Sequence, residues 1–293
     1  MKIKIKFLII RKPSPYWLPK SNFINHIIKL YGNILKDDDY LVIAEKALST
    51  ALGNIYDEAL IKSSILGKFF TIIITRILWC RLLSRLLDLS QNIIEVLCKC
   101  PIDKLSNHKQ LVLKYSKNIY KLLQLFKPVS ENGIDTTNLP YEYVSLPLSN
   151  ALSIAEHIKN AIKKKLNKCV NVMIIDSDLS CRCEFLSNTI LTSRESTLSN
   201  FLNLGVVSYI ICKLFRRKCR LYPTIIAYVG SSLSLCRLLR IAKIACKYMG
   251  EGVGSTVLEM ARKFKTSITE VSWTMLCSVK HYPVIIIRQV RTS

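Results

Sequence analysis

Three small groups of polar side chains in this 293-residue chain have the composition of a phosphate-handling site. Asp135 stands in SENGIDTTNLPYEYVSLPL, residues 130–148, a Gly- and Asn-rich turn where no apolar periodicity accounts for an acid and a Pro-marked extended segment follows. Asp176, Ser177 and Asp178 follow the apolar run VNVMII at 170–175, and Lys46 and Ser49 follow a second run, YLVIA, at 40–44. Carboxylate and hydroxyl oxygens suit magnesium or manganese, ions that keep several waters and bridge phosphate oxygens. Taken singly, each acid reads as a turn residue or a helix cap. Together, at the ends of elements, they read as a site, because loops carry polar groups that a packed scaffold only has to hold in place.

The elements that must position these groups alternate between strand and helix. Residues 2–10 alternate Lys with Ile before turning fully apolar, the mark of a strand with one polar face. Pro13, Pro15 and Pro19 then break regular structure, and residues 23–35 carry a helical apolar stripe. Asp37, Asp38 and Asp39 lead into a short buried strand at 40–44, and the segment after it turns at Gly53 and Asn54. Residues 65–100 predict a long apolar helix with Arg76, Arg81 and Arg85 on one face. A second helix is expected within 105–126, burying Leu111, Leu113, Tyr115, Ile119, Leu122 and Leu123, and a third at 149–168 with a lysine-rich end. The strand at 170–175 is expected to stop on Asp176, and the carboxyl end of a buried strand is where α/β folds place ligands. An apolar segment at 206–215, a basic turn at 216–220, a strand at 224–229 and helices at 232–248 and through Phe264 come next. Ser267 and Glu270 fit a capping box opening a helix to Val279, and residues 283–288 read as a final strand. The fold class is therefore mixed α/β or α+β.

A formal charge of +23, from 43 Lys and Arg against 20 Asp and Glu, favours acidic partners: nucleotides, nucleic acid, anionic lipid or anionic metabolites. The apolar run between the first lysines and Arg11, four residues long, is too short for a signal peptide, and the eleven cysteines are expected to be free and reduced in an intracellular, cytoplasmic protein. Cys98 with Cys100 and Cys181 with Cys183 form Cys-x-Cys pairs without any Cys-x-x-Cys, so buried small hydrophobes are the simpler reading beside a structural zinc site. Charged residues or prolines interrupt every apolar run long enough to matter, so no membrane span is expected. GEGVG at 250–254 invites a phosphate-loop reading, but it follows a helix and no Gly-Lys-Ser/Thr comes after it, which favours a helix–helix connection. Residues 258–276 match a helix-turn-helix loosely, with Lys265 at the turn position where Gly is usual; two packed amphipathic helices account for them, and DNA binding stands as a second function class. The four histidines are scattered and show no ligand spacing.

DDDYLVIAEKALSTALGN at 37–54, SENGIDTTNLPYEYVSLP at 130–147 and VMIIDSD at 172–178 together resemble the coenzyme F-420 gamma-glutamyl ligase family. The resemblance covers most of the chain, and the middle motif is the most specific. It implies a single unit over 1–293 of two lobes with the site between them, a possible homodimer, and a ligase that adds glutamate to a carboxylate acceptor through an acyl phosphate. GTP would be the co-substrate and Mg or Mn the metal. By resemblance Asp135, Asp176, Ser177 and Asp178 would hold the metal, while Lys46 and Ser49 would face phosphate or substrate. Where the family carries Phe-Gly-Arg-Pro-Trp-Arg, this chain has LSCRCEF, which leaves Arg182 as the retained cofactor contact. The family's His-Gly pair and Asn before the Asp turn are replaced by Leu125, Phe126 and Glu131. A divergent member that binds nucleotide or metal without catalysis is the alternative within the same family.

Overall fold

The computed structural model of the chain describes residues 4–115, 123–128 and 133–292. Its strands are β1 (Lys4–Arg11), β2 (Tyr40–Ala44), β3 (Ile55–Asp57), β4 (Tyr143–Ser145), β5 (Asn171–Cys183), β6 (Ile190–Thr192), β7 (Phe201–Asn203), β8 (Cys219–Val229) and β9 (Val284–Thr292). The longer helices are α1 (Phe23–Tyr31), α2 (Glu45–Ala51), α3 (Ile65–Thr71), α4 (Gln91–Lys99), α5 (Ile102–Tyr115), α6 (Ala151–Leu166), α7 (Val206–Leu214), α8 (Leu235–Met249) and α9 (Val257–Phe264), followed by the five-residue α10 (Trp273–Cys277). Seven strands make one mixed sheet in the order β1-β9-β2-β5-β6-β7, with β8 along the other side of β5, and β3 pairs with β4 apart from it. The chain is mixed α/β, as its alternating patterns predict.

The centre of the sheet is apolar on both faces, which is why its strands read as unbroken apolar runs. Leu41 and Ile43 of β2, Val172 and Ile174 of β5 and Val284 and Ile286 of β9 face the layer built by α1, α2 and α6. Tyr40, Val42, Met173, Ile175, Ile285 and Ile287 alternate with them and face α8. Full burial of such side chains stabilises by roughly 1.5–3 kcal/mol each. The acidic turn before β2 is fastened to the same layer: Arg288 grips Asp39 through Nε and a terminal nitrogen, both at 2.7 Å, and Asp37 accepts from the Cys169 amide at 2.6 Å.

Several sequence expectations change. Strand β5 does not stop at Asp176 but runs on to Cys183, because register shifts against β8 at Ile174/Ile175 and between Asp176 and Leu179 absorb the acidic residues as bulges. The long helix is broken: α3 widens into π-helical turns over Ile72–Leu83, and Asp88, with φ of 49°, ends the run before α4. That rewinding turns Arg76 inward to donate to the Leu97 and Cys100 carbonyls at the end of α4, while Arg81 and Arg85 remain exposed, so the three arginines do not share a face. On α5, Leu111 is buried but Leu113 and Tyr115 face outward; Ile119 and Leu122, like Glu131, lie outside the described residues. Glu270 does accept from the Ser267 amide at 3.3 Å, yet the helix after it is α10, capped by Ser272. With only five residues, α10 is too short to serve as a recognition helix, and Val271 and Leu276 are spent in the core with Met260 and Ala261.

The cysteines are also not all free. Cys80 is joined to Cys98, Cys181 to Cys212 and Cys183 to Cys219; Cys100, Cys169, Cys236, Cys246 and Cys277 are unpaired. Pairing of residues on separate elements leaves no mark on sequence spacing, which is why it was not anticipated. Among the described residues, no helix is long and apolar enough to cross a membrane.

Candidate active site

The Asp135 turn is held from three sides. Its backbone pairs with Ser145 at the end of β4, the Ser145 amide donating at 2.9 Å and the Asp135 amide at 3.3 Å. Thr137 closes the turn by donating its amide to Oδ1 at 2.8 Å. Lys46, one residue into α2, donates its ammonium to Oδ2 of Asp135, to the Thr137 carbonyl at 3.0 Å and to the Thr137 hydroxyl at 2.5 Å. Burial pushes the Asp135 carboxyl up, but the Lys46 charge and the Lys46 and Thr137 hydrogen bonds outweigh it and hold the carboxyl below its ordinary value.

The second acid group is built on a buried guanidinium. Arg194, 3% exposed, follows β6 and spans two carboxylates, Asp176 in the bulge of β5 and Glu45 at 2.6 Å, at the junction of β2 and α2. Glu45 also accepts the Leu148 amide at 2.9 Å, and burial raises its carboxyl above the ordinary value against the pull of Arg194. Burial acts against the Arg194 charge too, but Glu45, Asp176 and Asp178 outweigh it and keep the guanidinium protonated. Gly133 makes room for this group: its φ is +75°, and a Cβ there would lie 2.6 Å from the guanidinium carbon. On the far side of the bulge Asp178 meets Lys127 at 3.3 Å, and Thr224 locks the bulge by donating to the Asp178 carbonyl at 2.7 Å. The Asp178 carboxyl is raised by burial first, and further by Asp176 and Asp135, against Lys127 and Arg194.

Two cavities meet on these acids. One, of about 480 Å³, is lined by Glu58, His108, Lys127, Asp178 and Tyr209; the other, of about 560 Å³, by Tyr16, Glu45, Lys46, Asp176 and His281. Asp135, Thr137 and Ser177 belong to the walls of both. So do Glu251 and Ser255 of the GEGVGST segment, while Gly250, Gly252 and Gly254 line the second cavity. The segment is a helix–helix connection, as its position after α8 predicts, and it also forms a cavity wall. Asn138 holds it there, accepting the Val253 amide at 2.6 Å and donating to the Glu251 and Gly254 carbonyls at 3.2 and 3.3 Å.

Asp135, Asp176, Ser177, Asp178 and Lys46 thus come together from three separate stretches of chain. Ser49 does not join them: it is buried, and its hydroxyl donates to the Leu146 carbonyl at 2.9 Å, tying α2 to the extended segment behind Asp135. Arg182 does not either. Because β5 continues past the bulge, Arg182 sits six residues beyond Asp176, roughly 20 Å along an extended strand, and donates to the Cys236 sulfur at 2.8 Å. Sequence reasoning missed Glu45, Lys127, Asn138 and Arg194. An acid immediately after an all-apolar strand was a usable signal for Glu45; nothing in the surroundings of Arg194 or Lys127 announces a buried cation.

Residues 14–184 match the F420-0:Gamma-glutamyl ligase family, a span that takes in Lys46, Asp135 and the whole of β5. The chain belongs to this family. A protein of Methanocaldococcus jannaschii, named as uncharacterized protein MJ1361, is 28% identical over 279 residues, covering 92% of this chain and 91% of its own length. Gamma-glutamyl ligase membership makes a divalent ion the first ligand to test against the geometry. The donors are hard oxygens, and the four carboxylates Glu45, Asp135, Asp176 and Asp178 are paired with the three cations Lys46, Lys127 and Arg194. Among the described residues no three carboxylate or histidine groups converge within 4.8 Å. The set therefore fits an ion that brings phosphate oxygens with it and does not fit a closed protein cage.

Proposed function

We propose that the chain is a GTP- and metal-dependent ligase that joins glutamate to a carboxylate acceptor of the deazaflavin coenzyme F-420 type. The observation that carries this reading is the meeting of two cavities on one acidic seam, Asp135 with Ser177, since phosphoryl transfer followed by amide formation needs two reactants to reach one point. Asp135, Asp176 and Ser177 would hold magnesium or manganese, with Asp178 beside them. Such an ion neutralises charge that develops on a transferring phosphoryl group. The acceptor carboxylate takes the terminal phosphoryl group, GDP leaves, and the glutamate amine displaces phosphate as the amide bond forms and a proton is lost.

The chain's own residues supply positioning. Lys46 fixes the carboxylate of Asp135 and presents a cation to the seam, Arg194 fixes Asp176, and Asn138 holds the GEGVG wall. Ser49 acts through Leu146 as a positioning residue. The basic surface gathers anionic nucleotide and acceptor. The same proposal includes a two-lobed unit with the site between the lobes and a homodimeric assembly, both carried by the family resemblance. The test is turnover: protein, GTP, magnesium or manganese, glutamate and an F-420-type acceptor should give GDP, phosphate and a glutamylated product by mass spectrometry. Asp135→Ala should abolish product while leaving the circular dichroism spectrum unchanged. Wild-type protein that binds nucleotide but forms no product with any carboxylate acceptor would favour a non-catalytic family member, a reading that the cation already seated on each acid also supports.

A further inference from the structure

Beyond the bulge, β5 carries a second cluster that the ligase reading does not use. Cys181 and Cys183 are two residues apart on the strand and share a face; Cys219 of β8 is the register partner of Cys183, so its side chain projects to that face as well. Helix α7 packs over this part of the sheet and delivers Cys212 from above, bonded to Cys181. All four are buried, at 0%, 1%, 6% and 3% exposure for Cys181, Cys183, Cys219 and Cys212, within a shell of Leu186, Leu191, Ile211 and Leu221. The sulfurs of Cys181, Cys183 and Cys219 lie within 4.8 Å of one another. It is the only such group of three among the described residues.

We propose that in the reduced chain Cys181, Cys183, Cys212 and Cys219 together bind one zinc ion. Three observations carry it. First, the sulfurs of Cys181, Cys183 and Cys219 lie within 4.8 Å of one another and Cys212 is bonded to Cys181, so two strands and a helix bring together four cysteines, the number a closed structural zinc site uses. Second, the contact between the two bonded pairs has the right size: Cys181 and Cys183 sulfurs are 3.8 Å apart, and a tetrahedron with bonds of about 2.3 Å has edges of about 3.8 Å. Third, the four cysteines are buried against an apolar shell, and soft thiolates select zinc over magnesium or manganese. In the structure the same four sulfurs are joined as two disulfides, so the two forms are alternatives, and zinc uptake requires the thiols and releases their protons. The ion would fasten α7 to the sheet, and α7 carries Tyr209 into the wall of the smaller cavity. The role is structural, and independent of which reaction the acidic seam performs.

The test is metal binding by the full-length chain, reduced with a phosphine under anaerobic conditions, freed of metal and titrated with zinc or cobalt alone. About one zinc per chain is expected, and the cobalt form should show thiolate-to-cobalt charge transfer with the intense visible bands of a tetrahedral four-sulfur site. Cys212→Ser should lose that spectrum and Cys277→Ser, at an exposed position, should keep it. Should Cys212→Ser fail to fold, the cobalt spectrum of the wild type still decides. Failure of the reduced wild-type chain to take up zinc, or a cobalt spectrum with weak octahedral bands, overturns the proposal. So does a tetrahedral spectrum that survives in Cys212→Ser. Ligase turnover does not enter any of these readouts, so loss of the ligase proposal leaves them standing.

Discussion

The bulge of β5 and the last residues of the same strand carry clusters of opposite chemistry. At the bulge the register slips, Asp176 and Asp178 leave the alternation and are met by Arg194 and Lys127, and beside them Asp135 of the neighbouring turn is met by Lys46. A few residues on, regular pairing with β8 resumes and sets Cys181, Cys183 and Cys219 on one apolar face. The first cluster sets paired acids and cations on the walls of two cavities; the second is closed and satisfied by its own sulfurs. Irregular backbone thus goes with an open, oxygen-rich site, and regular backbone with a sealed, sulfur-rich one.

The sharpest way to break the first cluster is Arg194→Met, which strands Glu45 and Asp176 as buried charges. A loss of about 3–5 kcal/mol is expected in urea unfolding, the cost of removing one partner from a buried ion pair. The exposed pair Arg216–Asp88 gives the contrast: Arg216→Ala should cost no more than about 1 kcal/mol. If the two clusters are independent, Arg194→Met, wherever it folds, should leave the metal-binding stoichiometry of the cysteines unchanged.

Gly133→Ala should cost about 2–3 kcal/mol, because it combines a left-handed backbone with a clash against a guanidinium that ion pairs and burial prevent from moving. Asp176 would be displaced with Arg194, so turnover should fall together with stability. Ser49→Ala should cost about 1 kcal/mol, since the Leu146 carbonyl keeps the Asn54 side-chain amide as a donor at 3.0 Å. Its turnover number should remain within a few-fold of wild type; a loss as large as that of Asp135→Ala would restore Ser49 to the reacting groups.

The smallest effect is on pH dependence. His281, on the wall of the larger cavity, has its pKa lowered from 6.5 by burial, partly offset by the Leu276 carbonyl that its Nε2 meets at 2.7 Å. The folded chain therefore binds fewer protons here than the unfolded chain, and stability is full above the unfolded value and falls as pH drops below it toward the folded one. The unfolding midpoint should decline through that window, and His281→Gln should flatten the decline.

What the sequence made legible was set by periodicity. β1, β2, α1 and α6 were readable because one or both faces are apolar at the period of the element, and the GEGVG connection because glycines follow a strong amphipathic helix. Period failed at the bulge, where Asp176 and Asp178 looked like the end of β5, and in the π-helical turns, where the spacing of Arg76, Arg81 and Arg85 no longer places them together. The candidate site was legible as acids and Lys46, whose types stand out in apolar surroundings. Its supporting cations were not, because Arg194 and Lys127 acquire their meaning only from partners brought in by the fold. The cysteine cluster leaves no mark in spacing, because it depends on the pairing of β5 with β8 and on the placement of α7.

The most direct measurement of the central claim is isothermal titration calorimetry of GTP into the wild-type chain with and without magnesium or manganese. The account predicts metal-dependent binding of one GTP per chain, lost in Asp135→Ala at unchanged secondary structure. Wild-type protein that binds neither nucleotide nor metal would contradict it.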